Sequence, residues 1–297
     1  MMMVSSAPNL TTSVKGRVKK FSVNFFKFGL FAGTIFLLYF PILFITFQAF
    51  NADQTGLTFG GFTLKWFRKM FTHTELVEAI KNTISIAILS TTISTILGTL
   101  FAIGINSLST KRRRQMILIN NIPVLNAEIV TAVFLMLFFS LIQALIPNIP
   151  VFGYFTLLFA HIFFSIPYVV LSVLPKLNEI DPNLFDAAQD LGCTRSKALL
   201  KVIVPSIKAG IFTGALIAFT MSIDDFVISY LTTGQGVQNF SIWIYTNIGK
   251  NVSRNNIIPI GYAYNTLISI GTLLGLTIYN LITSSKRRLT KPKNNNY

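Results

Sequence analysis

Three carboxylates stand inside otherwise apolar stretches of this 297-residue chain: Glu128, Asp224 and Asp225. A carboxylate in the middle of a bilayer costs about 3 kcal/mol, so such residues mark a route, a relay or a hydrogen-bonded partner between helices. Near the last two in sequence are Thr220, Phe226, Tyr230, Trp243 and Tyr245. Spaced anions beside aromatic faces receive an organic cation through charge and cation–π attraction, although Trp and Tyr also serve as plain interface anchors. Bond-breaking chemistry has no comparable pattern. His161 stands alone in its apolar run and reads as a hydrogen-bonded core histidine, while His73 and Cys193 have no partners at ligand spacing, so no metal site is expected. No G-x4-G-K-S/T phosphate loop occurs, so any ATP hydrolysis is expected on another chain, with no cofactor bound by this one.

The elements that position these residues follow from composition. The chain is 52% hydrophobic and only 12% charged, about half the charge of a soluble domain, and its mean hydropathy is +0.61. The net charge of +15 taken alone would suit nucleic acid. The cations instead cluster between long apolar runs, which argues for a lipid-embedded chain and against a nucleic-acid partner. Spanning hydrocarbon takes roughly 20 mostly apolar residues, and six stretches qualify: Phe28–Phe50, Thr83–Ile105, Met116–Ile142, Val151–Leu174, Ile207–Leu231 and Ile257–Ile282. The expected organisation is a tail at 1–27, a six-span domain at 28–282 and a second tail at 283–297. Segments 1–27, 106–115, 175–208 and 283–297 hold nineteen of the 25 Lys and Arg, against six in the intervening segments. Cations stay on the cytoplasmic side, so both termini and the long 175–206 loop are expected there.

That loop carries its own punctuation. Asp181 suits a helix N-cap and Pro182 the first helical position. Ala187 and Ala188 keep the helix slim, Gly192 suits a left-handed stop, and Thr194 can cap a second helix running to Pro205. The expected product is helix, tight turn and helix beneath the membrane, a shape that fits a partner's groove.

Asp186-Ala187-Ala188, three residues, Gly192, nine residues, then Val202-Ile203-Val204-Pro205 resembles the EAA motif of ABC importer permeases, E-A-A-x3-G-x9-I-x-L-P. It departs only in Asp for Glu and in valine at the aliphatic positions. Phe62-Thr-Leu-Lys-Trp66 and Asn82-Thr83 are similar to the same permeases, and Ser222-Ile-Asp224-Asp225-Phe-Val-Ile-Ser229 resembles the spermidine/putrescine permeases of that family, a pattern that permeases for phosphonate or iron share in part. The resemblance covers about residues 25–285. It implies an all-α membrane protein with six transmembrane helices in the type I ABC importer permease fold. It further implies a multi-pass protein of a bacterial cell membrane, surrounded by lipid, forming half of a translocation pathway for polyamines. The implied partners are a second homologous permease, a dimeric cytoplasmic ABC ATPase that binds ATP, and an extracellular polyamine-binding protein. Asp186, Ala187, Ala188, Gly192 and Pro205 would couple to the ATPase. Asp224, Asp225, Glu128, Thr220, Tyr230, Trp243 and Tyr245 would line the substrate pathway. A channel or secondary transporter would lack the coupling loop and show internal repeats, and a membrane enzyme would need catalytic groups clustered at one depth.

Span five reads independently of the family. Gly210, Gly214, Ala218 and Ser222 recur every four residues, a ladder that lets a neighbouring helix approach closely. At about 100° per residue Asp225 falls on the ladder face, whereas Asp224 lines up with Thr213 and Thr220 on a weakly polar stripe. Two adjacent carboxylates are thereby expected to serve different purposes, the stripe being the better candidate for a pathway.

Overall fold

The computed structural model describes residues 10–53, 58–234, 236–249 and 254–289. The ends of both expected tails, 1–9 and 290–297, lie outside the described residues. Apolar runs of this length become helical because lipid offers backbone groups no other partners. Among the described residues, five helices are long and apolar enough to cross a membrane, and a bent pair, Arg195–Ser206 with Lys208–Asp224 at 72°, makes six if counted as one crossing.

The chain forms two compact units, one of residues 1–70 and 255–297 and the other of residues 71–254. In the first, α1 (Leu10–Ala49) extends well upstream of the expected start at Phe28, through the basic segment 15–27. Phe36, Leu37 and Leu43 on it are exposed, as lipid-facing side chains are. After it, Asn51 pairs with Phe62 in an isolated antiparallel bridge. Trp66 opens α2 (Lys65–Thr72), is fully buried, and donates its indole N–H to the Asn51 carbonyl at 2.7 Å. The Phe62–Trp66 segment is therefore the closing turn of this unit.

The second unit holds the candidate site. Its core is a mutual packing of α3 (Thr74–Asn106), which is followed by α4 (Thr110–Leu125) and α5 (Glu128–Leu145), with α6 (Tyr154–Asn178) and the later span-five helix. The small residues make this possible. A Cβ on Gly98 would stand 2.7 Å from Val169 Cβ. The span-five ladder of Gly210, Gly214, Ala218 and Ser222 is buried throughout, and a Cβ on Gly210 would stand 2.9 Å from the Ser172 carbonyl of α6. Ladder and helix contact agree.

The third expected span, Met116–Ile142, is not one helix. It breaks at Asn126–Ala127, both in extended conformations, between α4 and α5. Pro123 deletes a hydrogen bond near the end of α4, and Glu128 in the first turn of α5 complements the new helix dipole. α4 is about 24 Å long, too short to cross. Glu128 thus heads a helix instead of sitting mid-span.

Segment 175–206 builds α7 (Leu184–Asp190), α8 (Arg195–Ala198), a π-helical turn (Leu199–Ile203) and α9 (Val204–Ser206). Span five follows as α10 (Lys208–Asp224) and α11 (Val227–Thr232), and then α12 (Phe240–Gly249) and α13 (Arg254–Leu289) complete the order. Close approach at Gly98 gives a direct check. Gly98→Ala should destabilise the purified protein by about 1–3 kcal/mol through overpacking, and Val169→Ala in the same chain should recover part of its thermal midpoint.

Candidate functional site

Span five stops inside the unit. α10 ends at Asp224, Asp225 is extended at φ −65° and ψ 130°, and α11 resumes two residues later. The Asp225 carboxylate replaces the interrupted rungs. Its Oδ1 accepts from Ile228 N at 3.2 Å, and its Oδ2 accepts from Ser229 N at 2.7 Å and from Ser229 Oγ at 2.6 Å. Asn239, from the loop before α12, donates to the Asp225 carbonyl at 3.2 Å and to Ser229 Oγ at 2.8 Å. A buried helix end needs such partners.

The histidine that stood alone in sequence belongs to this network. His161 on α6 contacts Ser229 Oγ through Nε2 at 3.0 Å and Ser222 Oγ through Nδ1 at 2.8 Å, and its Nε2 lies 3.6 Å from Asp225 Oδ2. Ser222 in turn contacts Ser90 of α3 at 3.0 Å. Glu128, in the first turn of α5, borders a cavity of about 150 Å³ with Asn126, Thr131 and Tyr168. The Asn82–Thr83 pair also acquires a structural task. Asn82 donates to the Gln238 carbonyl at 3.0 Å and Thr83 Oγ1 accepts from Phe240 N at 2.8 Å, tying the loop before α12 to α3.

Asp224 faces the other way. It is exposed together with Thr213, Ile217 and Thr220, so the polar stripe read from span five exists as a surface. Thr213 and Thr220 turn their hydroxyls back to the Ala209 and Leu216 carbonyls. Two residues past Asp224, Phe226 joins Tyr230 and Tyr245 in a three-ring cluster with centroid separations of 5.4, 4.9 and 5.5 Å. Tyr230 and Tyr245 are about half exposed. Trp243 departs from the expected aromatic lining: it is 1% exposed, set edge-on to His73 at 5.5 Å and beside Phe240. Its amphipathic ring faces protein, because two residues along α12 turn it by about 200° from Tyr245, onto the opposite face.

The 175–206 segment is a second site. The Asp181 side chain accepts from Asn183 N at 2.9 Å, but the regular helix starts at Leu184 with Asn183 as its N-cap, so this bond shapes the turn before the helix instead of capping it as expected. Gly192 sits at φ +85°. Gly192 N donates to the Gln189 carbonyl at 2.8 Å and Cys193 N to the Ala188 carbonyl at 3.1 Å, the paired bonds that close a helix on a left-handed residue. Asp186 and Ala187 are exposed while Ala188 is buried. The second helix does not run regularly to Pro205; it widens into the π turn, because Pro205 has no N–H to return to the preceding turn. Ile203, Leu184 and Phe185 pack against the core formed by Val173, Leu177 and Ile207, which places this segment directly against α6 and the start of α10. A cavity of about 580 Å³ lies between the segment and the neighbouring ends of α3 and α6, bounded by Ile103, Leu177, Phe185, Arg195 and Leu199.

The chain belongs to the family of binding-protein-dependent transport system inner membrane components, matched over residues 96–290. It is 28% identical over 246 residues to the spermidine/putrescine transport system permease protein PotC of Haemophilus influenzae, covering 83% of this chain and 91% of that one. It is 26% identical over 255 residues to the putrescine transport system permease protein PotI of Escherichia coli K12, covering 85% of this chain and 89% of the relative. Its fold is that of a chain in the crystal structure of a bacterial ABC transporter for the acidic polysaccharide alginate, with TM-score 0.65 at 20% identity, covering 92% of this chain and 99% of that one. The chain is thus an all-α, multi-pass inner-membrane permease with the type I ABC importer permease fold.

Sequence reasoning singled out both acids but missed Ser90, Ser229 and Asn239, which hold one of them in place. Ser222 and Ser229, flanking Asp224–Asp225 at helical spacing, were the available signal. Asp225→Asn puts an amide N–H₂ among donors and should cost about 1–3 kcal/mol, lowering the thermal midpoint of the purified permease. Asp224→Asn should leave that midpoint unchanged or slightly raised, since its carboxylate caps nothing and stands at the negative end of the α10 dipole.

Proposed function

We propose that this chain is one permease subunit of an ATP-driven importer of polyamines of the spermidine and putrescine class. The observation that carries the reading is Asp224. Its carboxylate sits at the C-terminal end of α10, where the helix dipole already contributes negative charge. It is exposed, and among the described residues no Lys or Arg forms an ion pair with it. An anion held there without a protein partner favours a cation from outside. A flexible polyamine supplies several, and the Phe226, Tyr230 and Tyr245 rings two or more residues onward offer π faces for its ammonium groups. Thr220 extends the same stripe, and Glu128, at the mouth of the smaller cavity, offers a further carboxylate. The names of the PotC and PotI relatives support the same substrate class.

The rest of the machine is assigned by the same reading. A second homologous permease completes the pathway, an extracellular binding protein delivers substrate, and a dimeric cytoplasmic ATPase binds and hydrolyses ATP. Both termini and the 175–206 segment are cytoplasmic. Asp186, Ala187 and the Gly192 turn dock on the ATPase, with Ala188 and Pro205 shaping the segment behind them. ATP-driven closure of the ATPase pushes this segment, and its packing through Phe185 and Ile203 carries the push to α6 and α10. The permease makes and breaks no covalent bond; it exchanges two arrangements whose populations ligands bias.

Uptake by the complete complex in proteoliposomes tests the reading. Asp224→Asn should lower spermidine uptake per assembled complex about tenfold and putrescine uptake less, because the longer polycation has more charge to balance. Wild-type uptake of both by Asp224→Asn, or uptake of neither by the unmodified complex, contradicts it.

A further inference from the structure

The transport reading uses Asp224 and leaves His161 without a task. Yet His161 contacts both sides of the break in span five: Ser222 on α10 through Nδ1 and Ser229 on α11 through Nε2. We propose that His161 is the positioning residue of the substrate pathway, one imidazole that pins α10 and α11 at a fixed angle and so determines how Asp224 and the Phe226–Tyr230–Tyr245 rings are presented. This rests on the polyamine reading of that surface.

Hydrogen-bond bookkeeping fixes the direction of the network. Ser229 has a single hydroxyl proton, and it points to Asp225 Oδ2 at 2.6 Å. Ser229 Oγ already accepts from Asn239 Nδ2, so its contact with His161 must use a proton on Nε2. In the neutral ring Nδ1 is then the acceptor, and Ser222 donates to it. Ser222 Oγ is left to accept from Ser90 Oγ on α3 at 3.0 Å, the shorter of the two directions open to the single Ser90 proton, the other being the Ala87 carbonyl at 3.4 Å. The result is a directed chain from α3 through α10, α6 and α11 to the carboxylate that replaces the broken rungs. Ser90, His161, Ser222, Ser229, Asp225 and Asn239 are all buried, so each bond is shielded from water and each loss leaves an unpaired group.

The chain also lies between two apolar clusters. Val169, Val173 and Ala218 lie on one side along α6 and α10, and Ala160, Phe164 and Ile228 on the other. Ala218 of α10 belongs to the first cluster and Ile228 of α11 to the second, against which Met221 of α10 also packs, so apolar contacts hold the two pieces together while polar groups bridge them at the break itself. His161 has one nitrogen for each.

The test uses the assembled importer with partner permease, ATPase and binding protein, reading uptake of labelled spermidine and putrescine per complex. His161→Leu should lower spermidine uptake about tenfold and putrescine uptake less, shifting the ratio as Asp224→Asn does. His161→Gln, whose amide nitrogen can reach the Nε2 position, should recover most of the ratio. Adding His161→Leu to Asp224→Asn should cost little more than Asp224→Asn alone, since both act on one feature. A merely structural role lowers both substrates equally and multiplies with Asp224→Asn; either result overturns the proposal. Should His161→Leu fail to assemble, Ser222→Ala removes a single link and must shift the ratio in the same direction, and an unchanged ratio overturns it equally. A defective Asp224→Asn with a normal His161→Leu removes only this proposal, whereas a normal Asp224→Asn removes the polyamine reading itself.

Discussion

A helix that stops within an apolar layer strands carbonyls and amides that lipid cannot satisfy, at several kcal/mol for each unpaired group. Span five contains such a stop after Asp224, and the Asp225 carboxylate is the group that makes it tolerable. Much else in the second unit follows from this capping. The break requires a carbonyl partner, which Asn239 provides, and that recruits the loop before α12 back to the bundle. The same carboxylate orients Ser229, which orients His161, which reaches Ser222 and α3. A charged residue inside the bundle thereby becomes a structural keystone, and its neighbour is released for a different task.

The division of labour between adjacent acids has a simple geometric cause. α10 packs through Gly210, Gly214 and Ala218, so one face is closed, at Gly210 even to a single methyl group. The residue that ends the helix on the opposite face, Asp224, cannot reach that interior and stays exposed. Breaking the helix after it adds the turn that brings Phe226 and Tyr230 against Tyr245. Rigid packing on one side and an unpaired anion beside aromatic rings on the other are two consequences of a single interruption. The 175–206 segment packs through Ile203 on the same core as Ile207 and Ala218, so it and this arrangement share one packed interior.

What the sequence made legible was what depends on local chemistry or helical period. Apolar length set the spans, small residues every four positions set the packing face, and Gly192 announced a left-handed stop that the structure has at φ +85°. The opposite facing of Asp224 and Asp225 was also readable, although by extending a helix that in fact ends between them. The breaks themselves were not readable. Whether a chain continues through Asn126 or Asp225 depends on partners far away in sequence, such as His161 and Asn239, and periodicity carries no information about them. His161 was correctly expected to be satisfied in the core, but its partners arise from helices that only the fold brings together. Trp243 was misjudged for a related reason: residue type favours an interface, whereas the cover given by His73 and Phe240 decides burial.

The central claim is that the Asp224 face of span five meets water and substrate while the ladder face does not. Thiol accessibility in the assembled importer measures this directly. With Cys193→Ser removing the native thiol, Thr220→Cys should react with a hydrophilic maleimide and be slowed by spermidine, and Ala218→Cys should not react. An unreactive Thr220→Cys would mean that this face meets lipid or a partner helix, and a reactive Thr220→Cys that spermidine leaves unchanged would mean that the wet face is not the substrate's path. Either result would contradict the account.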